Sequence, residues 1–581
     1  MKISEAEKET GLTAKAIRLY EEKGLISVER RDNSYREYSR EDVNKLKQVK
    51  MFRELGIGIS EISLFFNGVV SFQELVGRRK ETLEKETKSN NESYKKCLKL
   101  LEELYKHEDT HSVKGEIKVI SIAKSILGID IGTTTISAVV IDIEKNQILE
   151  TYTIANDSRL KSDSDMSEYD ADWILDKVKK IADYLVFAYP NIKSIGVTGQ
   201  MHGIVYIDED GNAISPLYNW QDGRANRRMK TGRTYCEEIY ERTGQIVYSG
   251  YGFATLFYNK CNGLEPPHAK SFCTIMDYVT MKLSENKKAF VHPSNAASFG
   301  LYDEARGCFD CEAVKKLGLR TELLPHIASD NENIKAFKKA ALSSAIGDNQ
   351  ASFYASVKKE KTSVLVNFGT GSQISVMTQH PQKVKDNLEI RPYLFGKYLI
   401  CGSALCGGKA YSILEKFFSS YAKQIKPESG EQYELMNEMA MEAYGKKNSL
   451  TVNTQFCGTR KNHDILGSIM GISDENFTPE NLTLALLNGM VNELKGYFEC
   501  MKAEDINEVI ASGNAVQKNK VLQLILKDTF GKPSFIMQNK EEAAIGAALY
   551  SAVKNNVISN AQRENIIIYK EIIYDKNRKE E

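Results

Sequence analysis

The chain has 581 residues, of which 42% are hydrophobic, and this length exceeds what one hydrophobic core usually supports, so about three domains are expected. Lys plus Arg equals Asp plus Glu at 78 each, which excludes a global field for nucleic acid or membrane and makes any such site local. No apolar run is long enough to span a bilayer, the N-terminus is charged, and the ten cysteines show no zinc-finger spacing, so a cytoplasmic protein with reduced thiols and no membrane partner is expected.

The first 40 residues carry the pattern of a winged helix-turn-helix. Two short helical patterns flank Gly11, and the second begins after Thr13, which can cap it, and ends at Gly24. The segment VERRDNSYREYS then alternates Arg and Tyr around a turn-forming Asp-Asn-Ser, as in a basic two-stranded wing. Cations and phenol hydroxyls suit phosphate oxygens, so double-stranded DNA is the expected partner. The expected DNA contacts are Lys15, Arg18, Tyr20, Arg30, Arg31, Tyr35 and Arg36.

These residues also carry a family resemblance. AIRLYEEKGLI followed by YREYSREDVNKLKQVKMFRELGIGISEI resembles the DNA-binding domain of MerR-family transcription regulators, across residues 1–67. Ser34 stands where the wing of that family usually has Gly. The resemblance implies an N-terminal, all-α winged helix-turn-helix domain over residues 1–70 that binds an operator.

Residues 71–107 carry a weak heptad pattern. The apolar or near-apolar positions on one register are Val76, Leu83, Tyr94, Cys97, Leu101 and Leu104, interrupted by polar residues. The pattern, together with the MerR resemblance, predicts a long dimerisation helix and therefore a homodimer, and a solvated linker helix is the alternative. A polar stretch at 108–124 is predicted to be a linker.

Two later segments repeat one plan. ILGIDIGTTTISAVVID at 126–142 and TSVLVNFGTGSQISVM at 362–377 each place a short polar turn between apolar runs, at a constant offset of 237 residues. Glycine lets the backbone approach an anion, successive N–H groups form an anion nest, and threonine hydroxyls add donors. The sequence therefore predicts two similar lobes whose turns hold a triphosphate from both sides. No Walker-type G-x-x-x-x-G-K-[ST] is present.

The duplicated turn resembles the actin-like, ribonuclease-H-like ATPase fold, and further motifs narrow the resemblance to the FGGY carbohydrate kinases over about 126–555. In chain order the motifs are GVTGQMHGIVYID, NWQDGRA, AIGDNQASF, NFGTGSQIS, FCGTRKNHDILGSIMGI, ASGNAVQKN and EEAAIGAALYSA. Within the family, WQDGR, SGYGFATLFY and SNAASFG are most similar to sedoheptulokinases. The resemblance implies a multidomain chain with an α/β two-lobed kinase, its lobes at 125–355 and 356–555, and a C-terminal extension at 556–581.

The expected site residues follow the motifs. Asp348 in IGDNQ is the predicted general base, because a sugar hydroxyl must lose a proton as it attacks the γ-phosphorus of ATP. Asp130 is expected to hold Mg²⁺ through water. The expected ATP and phosphate contacts are Gly132, Thr133, Thr134, Gly369, Thr370, Gly371, Gly408, Gly513, Asn514 and Asn519. The resemblance implies sugar contacts at Gln200, Met201, His202, Trp220, Asp222, Arg224 and Asn349.

Three interpretations of the whole chain stay open. In the first, the protein phosphorylates a ketose or related polyol, sedoheptulose-like, and regulates genes through its DNA-binding domain. In the second, the kinase lobes sense sugar or nucleotide without useful turnover. In the third, the N-terminal domain only dimerises. The presence of Asp130, both turns and Asp348 favours the first interpretation over the second, and the basic wing residues argue against the third.

Overall fold

A computed structural model describes residues 3–26, 29–30, 36–54, 57–67, 70, 75, 121, 123–329, 332, 334–385, 387–447, 449–459, 462 and 464–573. The chain divides into two compact units, Met1–Ile122 with Lys179–Pro190 and Ala123–Val178 with Asn191–Glu581. Apart from Leu75, the predicted dimerisation helix at 71–107 lies outside the described residues.

The N-terminal segment contains short helices and a strand pair. Its helices are α1 (Ile3–Thr10), α2 (Ala14–Glu22), α3 (Arg40–Glu54) and α4 (Ile59–Phe66). The Thr13 side chain accepts the N–H of Ala16 at 3.3 Å and caps α2, as predicted. Strands β1 (Glu29–Arg30) and β2 (Arg36–Glu37) pair antiparallel. This strand pair confirms the predicted two-stranded wing.

One hydrophobic core joins these helices. Helix α3 contributes Leu46, Val49 and Phe52, which recur every three residues and are all fully buried. The Phe52 ring meets the edge of Phe65 from α4 at a centroid distance of 4.9 Å. The residues whose spacing predicts a helix are therefore the same residues that form its buried face.

The second unit alternates strands and helices. Its strands are β3 (Ser125–Ile131), β4 (Thr135–Asp142), β5 (Gln147–Ala155), β6 (Glu168–Tyr169), β7 (Ile192–Gly199), β8 (Val205–Ile207), β9 (Leu217–Tyr218), β10 (Ser271–Cys273), β11 (Phe290–Val291), β12 (Tyr302–Asp303), β13 (Cys308–Phe309), β14 (His326–Ile327), β15 (Ile334–Phe337), β16 (Ala340–Leu342), β17 (Ile346–Gly347), β18 (Ser363–Phe368), β19 (Ser372–Thr378), β20 (Leu388–Pro392), β21 (Tyr398–Ala404), β22 (Thr451–Asn453), β23 (Ser468–Met470), β24 (Glu508–Ser512), β25 (Ser534–Met537) and β26 (Tyr569–Glu571).

Its helices connect and cover these strands. They are α5 (Ala171–Ala188), of which the residues up to Val178 belong to this unit, α6 (Tyr235–Thr243), α7 (Gly252–Cys261), α8 (Ile275–Leu283), α9 (Pro293–Ser298), α10 (Cys311–Lys316), α11 (Asp348–Ser356), α12 (Gly408–Ile425), α13 (Tyr433–Ala443), α14 (Pro479–Met501), α15 (Asn514–Lys518), α16 (Lys520–Phe530), α17 (Glu542–Lys554) and α18 (Asn560–Ile566). No helix among the described residues combines the length and the apolar composition needed to cross a membrane.

The strands form two large sheets with the same central plan. The first runs β15-β16-β7-β3-β4-β5, with β17 also on β7, and the second runs β20-β21-β19-β18-β24-β25-β26. In both sheets the strand before the polar turn pairs antiparallel with the strand after it and parallel with a third strand. The two turns start and end at the predicted offset. The α/β two-lobed architecture expected from the sequence is therefore confirmed.

Residues 556–581 were expected to form an extension, and their described part is integrated into the fold. Strand β26 pairs antiparallel with β25 at the edge of the second sheet. Arg563 of α18 is buried and donates to the carbonyl oxygens of Tyr354 and Val357, both at 3.0 Å. This guanidinium closes the C-terminal end of α11.

Helix α17 packs directly against backbone on two sides. A Cβ atom added at Gly128 of β3 or at Gly196 of β7 would lie 1.8 Å from a carbonyl oxygen of α17. One added at Gly546 of α17 would lie 1.9 Å from the carbonyl oxygen of Ala351 in α11. Since only glycine fits such contacts, these positions explain the small residues of the EEAAIGAALYSA motif.

We expect Gly196→Ala to destabilise the second unit by about 1–3 kcal/mol or more, because the new methyl group overlaps backbone that cannot move alone. The matched control is Gly496→Ala in the exposed middle of α14, where an added Cβ meets no atom within 4 Å. That change should raise stability by roughly 0.5–1 kcal/mol through helix propensity. Urea denaturation of the full-length variants, followed by circular dichroism, measures both effects. Equal midpoints for the two variants would contradict the close-packing interpretation.

Candidate active site

The first polar turn, residues 132–134, accepts hydrogen bonds from Asn156. The Gly132 N–H donates to the Thr135 carbonyl oxygen at 2.9 Å. The Asn156 side-chain amide donates to the Gly132 carbonyl oxygen at 2.8 Å, and its backbone N–H donates to that of Thr134 at 2.9 Å. With these carbonyls occupied from one side, the Thr134 side chain is exposed to solvent. Asn156 was not predicted, since nothing in its local sequence marks it.

The second polar turn, residues 369–371, lies against the start of α12. The N–H of Gly408 donates to the Gly369 carbonyl oxygen at 2.9 Å, and the N–H of Lys409 donates to that of Thr370 at 3.0 Å. Gly513 sits beside the same turn with φ of 95°, where an added Cβ would lie 2.5 Å from the Phe368 carbonyl oxygen. Helix α15 begins at Asn514, directly after it. The structure thus brings Gly408, Gly513 and Asn514 to the second turn.

Asn519 has a structural task in this region. It is buried, its Oδ1 caps α16 by accepting the Leu522 N–H at 2.9 Å, and its Nδ2 donates to Asn437 Oδ1 at 2.7 Å. The Tyr411 hydroxyl donates to the same Asn437 oxygen at 2.7 Å. Asn519 therefore orders helices α12, α13 and α16 beside the turn.

Asp348 is the first residue of α11 and its backbone is fixed from several elements. The Thr198 hydroxyl donates to the Ile346 carbonyl oxygen at 2.7 Å, and the Asn295 amide donates to that of Ala345 at 3.1 Å. The Gly347 N–H donates to the Ser294 hydroxyl at 3.1 Å. Residues of the SNAASFG motif thus hydrogen-bond the backbone at and next to the IGDNQ motif, and these bonds position the Asp348 carboxylate.

Burial and neighbouring charge set the protonation of the two predicted aspartates. Burial raises the pKa of Asp348 to about 6, although the Asn349 N–H at 2.7 Å and the positive charge of Arg391 act in the opposite direction. Burial also raises the pKa of Asp130 to about 7, helped by the negative charges of Asp348 and Glu541. The two aspartates and Glu541 therefore share one electrostatic environment.

Glu541 was not assigned a role from the sequence, although it lies in the quoted EEAAIGAALYSA motif. It precedes α17 with φ of 61°, which is unusual for a residue other than glycine. Such strain is retained where the surroundings fix the backbone, and here it accompanies a carboxylate that acts on Asp130.

These oxygen donors suit a hard divalent cation. Among the described residues, no three His, Cys, Asp or Glu side chains lie close enough together to form a metal cage. A cation at Asp130 would therefore need water or phosphate oxygens as its remaining ligands. The donor set fits Mg²⁺ on these terms.

A polar cavity of about 530 Å³ lies near the start of α11, where Gln350 lines it. Met201 and Gln350 line it, and an added Cβ at Gly347 would lie 2.5 Å from both side chains, so the cavity wall reaches the residue before Asp348. His202 also lines the cavity, with its Nδ1 donating to the Ser298 carbonyl oxygen at 2.8 Å and its ring stacked on Tyr251 at 4.2 Å. The GQMHG motif therefore reaches the cavity through Met201 and His202.

Other predicted sugar contacts tie the cavity to the first turn. The Trp220 indole N–H donates to the Thr133 hydroxyl at 3.0 Å, and the Thr133 hydroxyl lies 3.4 Å from Gln200 Oε1. The buried Gln200 Nε2 has no hydrogen-bond partner in the part of the chain that the structure describes. Asn349 hydrogen-bonds Gln373 of β19 through its side-chain amide. These three residues lie next to the phosphate turns rather than on the wall of the cavity.

Asp222 and Arg224 form an ion pair with each other, and neither residue lines the cavity. Arg224 is buried, and its Nε donates to Asp222 Oδ1 at 2.7 Å. Its Nη2 donates to Glu168 at 2.6 Å, and the guanidinium lies 4.3 Å from the Tyr218 ring. Asp222 also accepts the Ser167 N–H at 2.9 Å. This internal ion pair fixes the loop that carries Trp220, and the expected sugar contacts of Asp222 and Arg224 stay a prediction.

Sequence comparison decides the family. The segment 125–351 matches the N-terminal domain of the FGGY family of carbohydrate kinases, and 364–554 matches its C-terminal domain. The two matches together span most of the chain. The chain belongs to the FGGY family of carbohydrate kinases. Residues 1–68 match the MerR HTH family regulatory protein.

Individual relatives agree with this assignment. The chain is similar to the sedoheptulokinase of Mus musculus, with 26% identity over 73% of this chain and 96% of the relative. It is also similar to the xylulose kinase of Staphylococcus xylosus, with 23% identity over 77% and 95%. Among solved structures, the xylulose kinase of Rhodospirillum rubrum matches 78% of this chain and 94% of its own, with a TM-score of 0.67 and 20% identity. These matches support an FGGY sugar kinase.

In the MerR-like segment, Lys15 and Arg18 lie exposed on α2. Tyr20 is only 6% exposed and its ring packs in the hydrophobic core, and its expected contact with DNA stays a prediction. Arg30 and Arg36 are backbone register partners in the β1–β2 pair. Arg31 and Tyr35 lie outside the described residues.

The raised pKa of Asp348 predicts an acid limb in the rate. A general base acts as the carboxylate, so kcat/KM for the sugar should be full above about pH 7 and fall tenfold per unit below about pH 6. Initial rates between about pH 5 and about pH 8, at saturating ATP and Mg²⁺, measure this profile. Circular dichroism at each pH separates it from unfolding. A flat rate down to about pH 5 would contradict the role of Asp348.

Proposed function

We propose that the kinase part transfers the γ-phosphoryl group of ATP to a hydroxyl of a ketose or related polyol, of the sedoheptulose kind. The observation that carries the proposal is the partly buried Asp348 carboxylate, fixed at the start of α11 next to a polar cavity that Met201, His202 and Gln350 line. A carboxylate with a pKa near 6 is ionised at neutral pH and still basic enough to accept a proton.

In this proposal, the chain contributes positioning and charge. Asp348 accepts the proton of the acceptor hydroxyl as that oxygen bonds to the γ-phosphorus. The glycines of the two turns let backbone approach the phosphates, and the hydroxyls of Thr133, Thr134 and Thr370 donate to phosphate oxygens. Mg²⁺, held through water by Asp130, would neutralise phosphate charge. The loop that Asp222 and Arg224 hold together keeps Trp220 on Thr133.

Two observations support the size of the substrate. The cavity of about 530 Å³ falls within the usual range of roughly 300–1,000 Å³ for small-molecule sites. The mouse and human relatives that match most of the kinase part are sedoheptulokinases, each 26% identical to this chain. A seven-carbon ketose is therefore our first choice within the polyols.

We also propose that the N-terminal part binds double-stranded DNA as a homodimer. The exposed Lys15 and Arg18 on α2 and the paired wing strands carrying Arg30 and Arg36 support this proposal. A helix placed in the major groove would contact base edges, and the cations along the wing would contact phosphates. The protein would then couple sugar phosphorylation with transcription regulation in one chain.

We expect the purified full-length protein to phosphorylate sedoheptulose in a panel that includes xylulose, ribulose and glycerol, with ATP and Mg²⁺. Asp348→Asn should lower kcat by roughly 10²- to 10⁴-fold and keep ATP affinity, because position survives but the proton acceptor is lost. Asp505→Asn, at an exposed aspartate, is the control and should keep full activity. Coupled ADP release measures turnover, and calorimetry measures ATP binding.

The same panel separates the two main interpretations. Sugar binding in calorimetry without measurable turnover on any member would support a sugar-sensing regulator that uses the kinase fold as its effector domain. Near-normal turnover by Asp348→Asn would place the base elsewhere.

For DNA, we expect Arg18→Gln to weaken binding roughly 10- to 100-fold to a duplex selected from a random library by the full-length protein. The control is Arg40→Gln, because the Arg40 guanidinium already pairs with Glu9 at 2.5 Å. Anisotropy titrations at two salt concentrations measure both affinities. If the protein enriches no duplex from the library, the regulatory proposal is wrong.

A further inference from the structure

An ion pair on strand β20 lines the cavity from the second sheet. Glu389 and Arg391 are two residues apart, so they lie on the same face of the strand, and both line the cavity. Arg391 donates to Glu389 Oε2 through Nε at 3.0 Å and through Nη2 at 2.5 Å. The Arg391 side chain is only 13% exposed. No motif in the sequence marks this pair.

The pair faces the groups that the proposed function uses. The positive charge of Arg391 lowers the pKa of Asp348, and Arg391 also interacts electrostatically with Tyr251, the residue that stacks on His202. The cavity wall thus places a guanidinium and a carboxylate from the second lobe opposite a stacked imidazole from the first. A ligand in the cavity would touch both lobes.

The Arg391 guanidinium keeps one unused donor. Both of its donating nitrogens end on the same oxygen of Glu389, and Nη1 makes no hydrogen bond to another described residue. In the same cavity, Gln350 is fully buried and its Oε1 has no hydrogen-bond partner among the described residues, while its Nε2 donates to the Pro392 carbonyl oxygen at 3.0 Å. An unpaired buried acceptor is costly, so a ligand with one hydroxyl that donates to Gln350 and another that accepts from Arg391 is favoured here.

We infer that Glu389 and Arg391 are specificity-determining residues that recognise neighbouring hydroxyls of a polyol, with the guanidinium donating and the carboxylate accepting. A hydroxyl group can both donate and accept a hydrogen bond. Two adjacent hydroxyls can therefore accept from the guanidinium and donate to the carboxylate at the same time, which a single charged group cannot do. A net anionic ligand is disfavoured because Glu389 already balances Arg391. The inference rests on the proposed function and deepens it, since it selects long uncharged polyols over short ones.

The test compares Arg391→Met and Glu389→Gln with the unchanged protein on sedoheptulose and glycerol. Assays at about pH 8, above the pKa of Asp348, keep the base ionised in every variant. We expect the KM for sedoheptulose to rise roughly 10- to 100-fold, with kcat and the KM for ATP within about threefold. The kcat/KM for glycerol should change little. Equal losses on both substrates, or an unchanged KM for sedoheptulose, would overturn the inference.

Two further variants exclude a purely structural effect. The charge-swapped protein Glu389→Arg/Arg391→Glu keeps an ion pair but exchanges donor and acceptor, so it should regain the melting temperature but not the KM for sedoheptulose. Recovery of both would assign the pair to stability alone. Arg306→Gln removes an arginine whose side chain is 77% exposed, pairs with Asp303 at 3.2 Å and does not line the cavity, so it should leave both kinetic constants unchanged.

The outcome stays distinct from that of the proposed function. If the unchanged protein turns over no polyol, the proposed kinase substrate is wrong. Calorimetric binding of sedoheptulose to the unchanged protein and to Arg391→Met then still decides the role of the pair. A loss of affinity in the variant supports the role, and equal affinity or no binding to either protein rejects it.

Discussion

The close backbone contacts of helix α17 hold the kinase part together. Because Gly128 and Gly196 have no side chain, helix α17 contacts the backbone of the first sheet directly. Gly546 allows the same direct contact between α17 and α11. The sheet carries Asp130 and its turn, whereas α11 carries Asp348. The direct backbone contacts between the sheet, α17 and α11 therefore set the separation of the two carboxylates. Packing of this kind is stiff because no rotamer change can relieve it. Helix α17 also begins next to Glu541, which adds its charge to the same site.

The sequence predicted features that depend on short stretches of chain. The wing pair, the Thr13 cap and both polar turns follow from residues a few positions apart, and they appear where expected. The repeated plan of the turns also predicted two similar sheets, because duplicated local structure implies duplicated surroundings. Asp348 could be singled out because its motif is contiguous.

Features that depend on distant residues could not be predicted from the sequence. Arg224 is cationic and follows a tryptophan and an aspartate, which predicts a sugar contact, and the sequence does not show its internal contacts with Glu168 and Tyr218. Tyr20 lies on α2, and only the fold shows that its ring packs in the core. Arg391 and Glu389 lie in a strand without a family motif, and only the fold brings them to the cavity. Tertiary context overrides the local pattern in each case.

The hydrogen bond between Trp220 and Thr133 gives the molecule an optical reporter. The chain has two tryptophans, and Trp173 lies on α5 with the Lys177 ammonium 5.3 Å from its ring. The Trp220 indole is 47% exposed and touches the turn that would meet a phosphate. Indole emission responds to the polarity and hydrogen bonding around the ring. Removing Trp173 would therefore leave a single tryptophan, whose emission spectrum follows the state of the first turn in real time.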